Sequence, residues 1–164
     1  MIVITDSSPL IFLARIGRLS LLEELYGTVY IPTAVHRETV VQDPLRPGAV
    51  EIASADWLTV RPVDDRLAAR LLQQQSGPGE SEAIILALQL KVDLLLIDDA
   101  KGRRIAEAYG ISAAGTIGVL IQAKRSGLLP AVKPSMDGLQ AIGLHMDEKL
   151  YAYALQLCGE NSGD

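Results

Sequence analysis

Residues 79–106, GESEAIILALQLKVDLLLIDDAKGRRIA, constrain the fold of this chain more than any other stretch. From Ala83 to Leu90 only Gln89 is polar, so the helix predicted there has almost no polar face and has to be covered on most sides. Leu94-Leu95-Leu96-Ile97 is an unbroken apolar run of strand length, the pattern of a parallel strand buried on both faces. A second helix follows. Carboxylates stand at two of the junctions: Glu80 and Glu82 open the first helix, and Asp98 and Asp99 sit where the strand stops. Acids flanking so apolar a unit point to an active site.

The rest of the chain alternates in the same way. Ile2–Thr5 reads as a first strand, and Ser8-Pro9 as N-cap and first residue of a helix over Leu10–Arg15. Gly17 breaks that helix, and Leu19–Leu25 continues as a second piece. Thr28–Ile31 is a second strand, and Pro32 opens a helix to about Val41. In the middle, 49–55 predicts a short helix, 57–60 a strand, and 63–75 a helix with Arg66 and Arg70 outward. Ser76-Gly77-Pro78-Gly79 is a turn into the central stretch. An edge strand at 111–114 follows, then helices at 116–125, 136–142 and 147–157, the last with Leu150, Ala154 and Leu157 on one stripe. Residues 159–164 are expected to fray. Strands alternating with helices predict an α/β fold on a mostly parallel sheet with right-handed crossovers. A length of 164 residues fits a single domain over 1–164, with 135–158 as a C-terminal helical extension.

Composition excludes several classes. With 49% apolar and 21% charged residues the chain is globular rather than disordered. Cys158 is the only cysteine, so no intramolecular disulfide forms. His36 and His145 are far apart in sequence and have no ligand-like partners, which argues against zinc. No apolar run approaches the ~20 residues of a membrane span, and the start lacks the basic and apolar regions of a signal peptide. A cytoplasmic protein without a membrane partner is expected. The net charge of −5 gives no bulk grip on nucleic acid, yet neutralising the six acids nominated below would leave +1.

In an open parallel sheet, chemistry sits beyond the carboxyl ends of the strands. Asp6 directly follows the first strand, and Asp98-Asp99 follow the buried one, so parallel strands bring all three to one edge. Helices returning from that edge bring Glu80 and Glu82 to the same rim. Each acid also has a plain structural role open to it, as a cap, a first-turn residue or a solvated charge. Together, clustered carboxylates raise one another's pKa unless a cation holds them. All-oxygen ligation points to Mg²⁺ or Mn²⁺, and to metal-assisted phosphoryl transfer or hydrolysis.

Thr5-Asp6-Ser7-Ser8-Pro9-Leu10-Ile11 with Leu13-Ala14, then Ile31-Pro32 with Val35 and Glu38, resembles the opening of PIN-domain proteins. Gly79-Glu80-Ser81-Glu82-Ala83-Ile84, Ile97-Asp98-Asp99 and Gly115-Thr116-Ile117-Gly118-Val119-Leu120 resemble the motifs of an uncharacterised PIN-like branch. The resemblance covers about 2–157. It implies a three-layer α/β/α sandwich and a divalent-metal ribonuclease, as in VapC-type toxins restrained by an antitoxin. Carried over, Asp6 is the first-strand acid and Glu38 the acid on the helix after Pro32. Glu80, Glu82 or both fill the third position, and Asp98 or Asp99 the fourth. The resemblance thus implies catalysis by Asp6, Glu38, Glu82 and Asp99, with Glu80 and Asp98 as further candidate metal ligands. Ser7, Ser8 and Thr116 could offer hydroxyls to substrate or metal-bound water, and Lys101, Arg103 and Arg104 could meet RNA phosphates. Aromatic residues make up only 4%, so no base-stacking platform is evident.

Two other readings compete. A PIN-like module that has lost turnover would bind RNA or a protein without cutting. A receiver or haloacid-dehalogenase type of phosphoryl-transfer domain also gathers acids at strand ends. The haloacid-dehalogenase type, however, expects Asp-x-Asp after the first strand, where Ser8 takes the second slot. The last two helices, 136–157, are expected to cover the sheet or support a homodimer.

Overall fold

A computed structural model describes residues 1–160. Its five strands are β1 (Val3–Thr5), β2 (Val29–Pro32), β3 (Leu58–Arg61), β4 (Leu94–Leu96) and β5 (Ala113–Ala114). All pairings are parallel, in the order β3-β2-β1-β4-β5, with Val3 flanked by Val29 on one side and Leu94 on the other. The chain winds outward from β1 to β3, then re-enters at β4 on the opposite flank of β1. That reversal makes the gap between β1 and β4 the switch point of the sheet, where ligand sites form.

Between the strands run α1 (Ser7–Arg15), α2 (Ser20–Tyr26), α3 (Thr33–His36), α4 (Ala49–Ala53), α5 (Arg66–Leu72), α6 (Pro78–Leu90) and α7 (Ala100–Ala108). Right-handed crossovers put α1–α4 on one face of the sheet and α5–α7 on the other, giving three layers. Within each layer α1 meets α4, and α6 meets both α5 and α7, while α3 also packs against α6. The sheet and these helices form one compact unit, Met1–Thr116. A second begins at Ile117, inside α8 (Thr116–Arg125), and holds α9 (Lys133–Ala141) and α10 (Glu148–Leu157). In that unit Glu160 accepts hydrogen bonds from the Val132 and Lys133 amides and pairs with Lys124 at 3.6 Å. Of the fraying expected at 159–164, positions 161–164 lie outside the described residues.

The expected burial of the central stretch holds. Leu95, Leu96 and Ile97 are fully buried, and Ile84, Leu86, Leu95 and Ile97 share one apolar cluster with Ile4 and Ala106. Pro78 starts α6 after the Gly77 N-cap, and Lys91 ends it in the left-handed conformation.

Three local expectations need correction. Helix α1 starts at Ser7 with Asp6 as N-cap, so Ser8 is not the cap; its hydroxyl is drawn to a carboxylate 90 residues away. The helix after Pro32 is α-helical only to His36 and then widens into a π-helical turn, Arg37–Val41. On α10 the apolar stripe is divided, with Ala154 and Leu155 buried while Leu150, Tyr153 and Leu157 are exposed.

Two leucines of α6 test how far that helix is covered. Leu86 is fully buried and Leu88 is 39% exposed. Leu86→Ala is expected to lose about 2–5 kcal/mol in urea unfolding and Leu88→Ala less than about 1 kcal/mol. Equal losses would contradict this placement of the helix.

Candidate active site

The site grows from the carboxyl ends of β1 and β4. The Asp6 amide donates to the Leu96 carbonyl at 2.8 Å, which carries the ladder one residue past β1 and sets Asp6 beside the end of β4. Asp98 leaves β4 with both oxygens engaged. Its Oδ1 accepts from the Thr116 amide at 2.6 Å, and its Oδ2 from the Ser8 and Thr116 hydroxyls, each at 2.7 Å. Asp99 is the N-cap of α7 and accepts from the Gly102 amide at 2.8 Å. Arg103 donates to the Ile97 and Asp98 carbonyls at 3.1 and 2.6 Å, so its guanidinium clamps this turn, while Lys101 and Arg104 are exposed.

Glu38 reaches the rim from the π-helical turn. Its carboxylate accepts from the Ser7 hydroxyl at 2.6 Å and the Gly79 amide at 2.9 Å. A π turn is wider than an α turn and recurs at functional sites; no local pattern in the sequence announces this one. The two glutamates of α6 part company. Glu80 faces Asp99 and Asp6, whose charges act on it. Glu82 accepts from the Ala34 amide at 3.1 Å and lines a separate pocket with Arg37, Arg66 and Arg70. The structure therefore brings Asp6, Glu38, Glu80, Asp98 and Asp99 to one rim, and sets Glu82 beside it. Ser7, Ser8 and Thr116 serve these carboxylates directly.

Missing side chains make the room. A Cβ at Gly102 would collide with Glu80 Oε1 and stand 2.6 Å from Ile97 Cδ1. Gly79 is held open in the same way by Glu38, and Gly115 by Asp98, whose Oδ1 would lie 2.8 Å from an added Cβ. In the sequence Gly79 reads as a turn and motif residue and Gly115 as a motif residue, neither as making room for a carboxylate, and Gly102 carries no role. A signal was available at Gly102, because a glycine inside a nine-residue helix is unfavourable unless something needs its space.

Electrostatically the rim is unsettled. Burial pushes Asp6 up to about 6, helped by the charges of Glu38, Asp98 and Asp99 and opposed by the Ser7 amide. Glu80 is pushed up to about 8, first by burial, then by a side-chain hydrogen bond to Asp99 and by the charges of Asp99 and Asp6. Asp99 is held below the usual carboxylate range, chiefly by the Gly102 amide. At neutral pH these shifts favour the protonated form of Glu80 beside an ionised Asp99. Even so, Glu80 Oε1 is buried without a hydrogen-bond partner among the described residues. No ion pair among those residues involves a rim acid. Nor do three acidic, His or Cys groups there already converge at coordinating distances. An orphaned carboxylate oxygen over a glycine, with all-carboxylate donors around it, suits a hard divalent cation. A family model described as a PIN domain matches residues 2–160. A search of curated proteins finds no match.

The raised acids fix the sign of a pH dependence. A carboxyl whose folded pKa exceeds its unfolded value contributes stability below the unfolded value and loses it as pH rises through the folded one. For Asp6 that window runs from 3.8 to about 6, worth up to about 3 kcal/mol. For Glu80 it runs from 4.5 to about 8. Asp99 works oppositely and is lost only in acid. In EDTA, melting is therefore expected at a lower temperature at pH 8.5 than at pH 5. Glu80→Gln should flatten the upper part of that fall; superimposable profiles for the variant and the parent would refute the assignment.

Proposed function

The chain belongs to the PIN-domain family, and from that premise we propose that it is a divalent-metal-dependent ribonuclease acting at the rim of Asp6, Glu80 and Asp99. The observation that carries this reading is the buried, unpartnered Glu80 Oε1, beside two further acids in a space that only a glycine leaves open. In this reading Asp6, Glu80 and Asp99 hold Mg²⁺ or Mn²⁺, and Glu38 supplies a fourth carboxylate already fixed by Ser7 and Gly79. Asp98 is a positioning residue, since its oxygens tie together α1, the end of β4 and the start of α8. Glu82 holds the start of α3 through the Ala34 amide.

A bound cation of this kind supplies an activated water and stabilises the leaving oxygen of a phosphodiester. The chain supplies the rest. Glu80 releases its proton when its oxygens are taken as ligands, which couples metal uptake to pH. Burial of Asp6 strengthens each charge interaction at the rim. One observation favours the silent binding module instead: the raised pKa of Glu80 beside Asp99 lowers the repulsion within the rim without a cation.

Cleavage of a panel of labelled RNAs with Mn²⁺ or Mg²⁺ separates the two. Cutting is expected to need metal and to fall on the order of 100-fold or more in Asp6→Asn, Glu80→Gln and Asp99→Asn. Glu82→Gln should stay within a few-fold of the parent. RNA bound but never cut would leave the silent module standing.

The same proposal extends to partners. The resemblance to VapC-type toxins supports a toxin restrained by an antitoxin, and exposed Leu150, Tyr153 and Leu157 on one side of α10 support a homodimer. Induced expression is expected to arrest bacterial growth for the parent and not for Asp6→Asn, with relief by a co-expressed small neighbouring gene. Light scattering should give twice the 17.6 kDa chain mass, and Leu150→Glu/Tyr153→Glu the single mass. Arrest by Asp6→Asn would remove the toxin assignment, and a single mass for the parent would remove the dimer.

A further inference from the structure

A pocket of about 240 Å³ opens at the same edge of the sheet as the acidic rim. Thr33 and Pro62, which stand just past β2 and at the end of β3, line it together with Arg37, Arg66, Arg70 and Glu82. We propose that this pocket binds the sugar-phosphate backbone of an RNA strand to one side of the cleaved bond, with the guanidiniums of Arg37, Arg66 and Arg70 as the phosphate-holding groups. The proposal rests on the ribonuclease reading and deepens it.

The charge arrangement calls for an anion. Arg66 and Arg70 are four residues apart on α5, where like charges repel, and Arg37 adds a third cation from another element. Among the described residues none of the three enters an ion pair. The pocket's one carboxylate, Glu82, has Oε1 engaged by the Ala34 amide. Three planar guanidinium forks with one acid leave a local excess of two positive charges in a chain whose net charge is −5. Such forks match phosphate oxygens two at a time.

Position favours RNA over an acidic peptide. Strand β3 lies two places from β1, about 10 Å at the usual ~4.8 Å spacing, and Asp6 follows β1. A strand laid along this edge spans both places within a few nucleotides. A phosphodiester laid along this path would bring to the rim a bond on which a cation held there could act, whereas an acidic peptide carries no such bond. No aromatic ring lines the pocket, so it is suited to gripping backbone and not to stacking bases.

The test is anisotropy of a labelled single-stranded RNA with the full chain in EDTA, across a salt series. Arg66→Gln/Arg70→Gln is expected to bind at least 10-fold more weakly, with a log–log salt slope lower by roughly 0.7 per lost phosphate contact. Arg66→Lys/Arg70→Lys should restore the slope but only part of the affinity. A charge-matched control at exposed positions elsewhere, Arg15→Gln/Arg18→Gln, should bind as the parent does. In Mn²⁺ assays the pocket variant should raise KM and keep kcat. If the double variant fails to fold, Arg37→Gln carries the same expectation. Unchanged binding in the pocket variant, an equal loss in the control, or no RNA binding by the parent overturns the pocket. So does a poly-glutamate peptide that binds as tightly as RNA and loses as much in the pocket variant. Weakened binding without any cleavage by the parent would sink the nuclease reading and leave the pocket; intact cleavage with unchanged KM and binding would do the reverse.

Discussion

One hydrogen bond, from the Asp6 amide to the Leu96 carbonyl at 2.8 Å, fixes the relation on which the rim depends. It locks the ends of β1 and β4 side by side at the point where the sheet changes winding direction. Asp6, just beyond β1, and Asp98 and Asp99, just beyond β4, are thereby brought to one edge. That these positions hold acids is a matter of sequence, and that their charges meet is a matter of topology. Burial of the neighbouring Ile4, Leu95 and Ile97 makes the arrangement rigid, because no register slip is possible without exposing a fully buried face.

Five carboxylates at one edge would not tolerate one another if they were alike, and they are not. Asp98 has all its demands met by Ser8 and Thr116, and Glu38 is held by Ser7 and Gly79. Asp99 has one oxygen on the Gly102 amide, while Asp6 and Glu80 carry the consequences of burial as raised pKa values of about 6 and 8. The satisfied acids hold the frame and the unsatisfied ones hold the potential for chemistry. Removing the frame and removing the chemistry are therefore separable by mutation: a Ser8 or Thr116 change acts through Asp98, and a Glu80 change does not.

Much of the fold was legible because its signals are local. An apolar run of strand length at 94–97 and a helix without a polar face at 83–90 have few places to go except the middle of a layered sheet. Membership of the right edge was legible for Asp6, Asp98 and Asp99 for the same reason. What escaped were facts decided across the chain. Ser8-Pro9 has the local form of a cap, but Asp98 outcompetes the backbone for its hydroxyl. Glu38, nominated only through the family resemblance, lies in a π turn that no local pattern announces, and Glu80 and Glu82 carry the same first-turn signal while facing different neighbours.

That last separation follows from helix geometry. Residues two apart on an α-helix point about 200° away from each other, so one turn of α6 can serve two surroundings but not one. Glu80 turns toward Asp6 and Asp99, and Glu82 toward the Ala34 amide and the arginines. The start of α6 thereby divides the carboxyl edge of the sheet into an acidic half and a basic half. An oxygen-ligated cation suits the first, and the phosphates of a strand suit the second. A polyanion crossing that boundary meets positive charge on both sides only when the acidic half is loaded. On this arrangement, metal occupancy and strand binding should reinforce each other even where the two ligands share no contact.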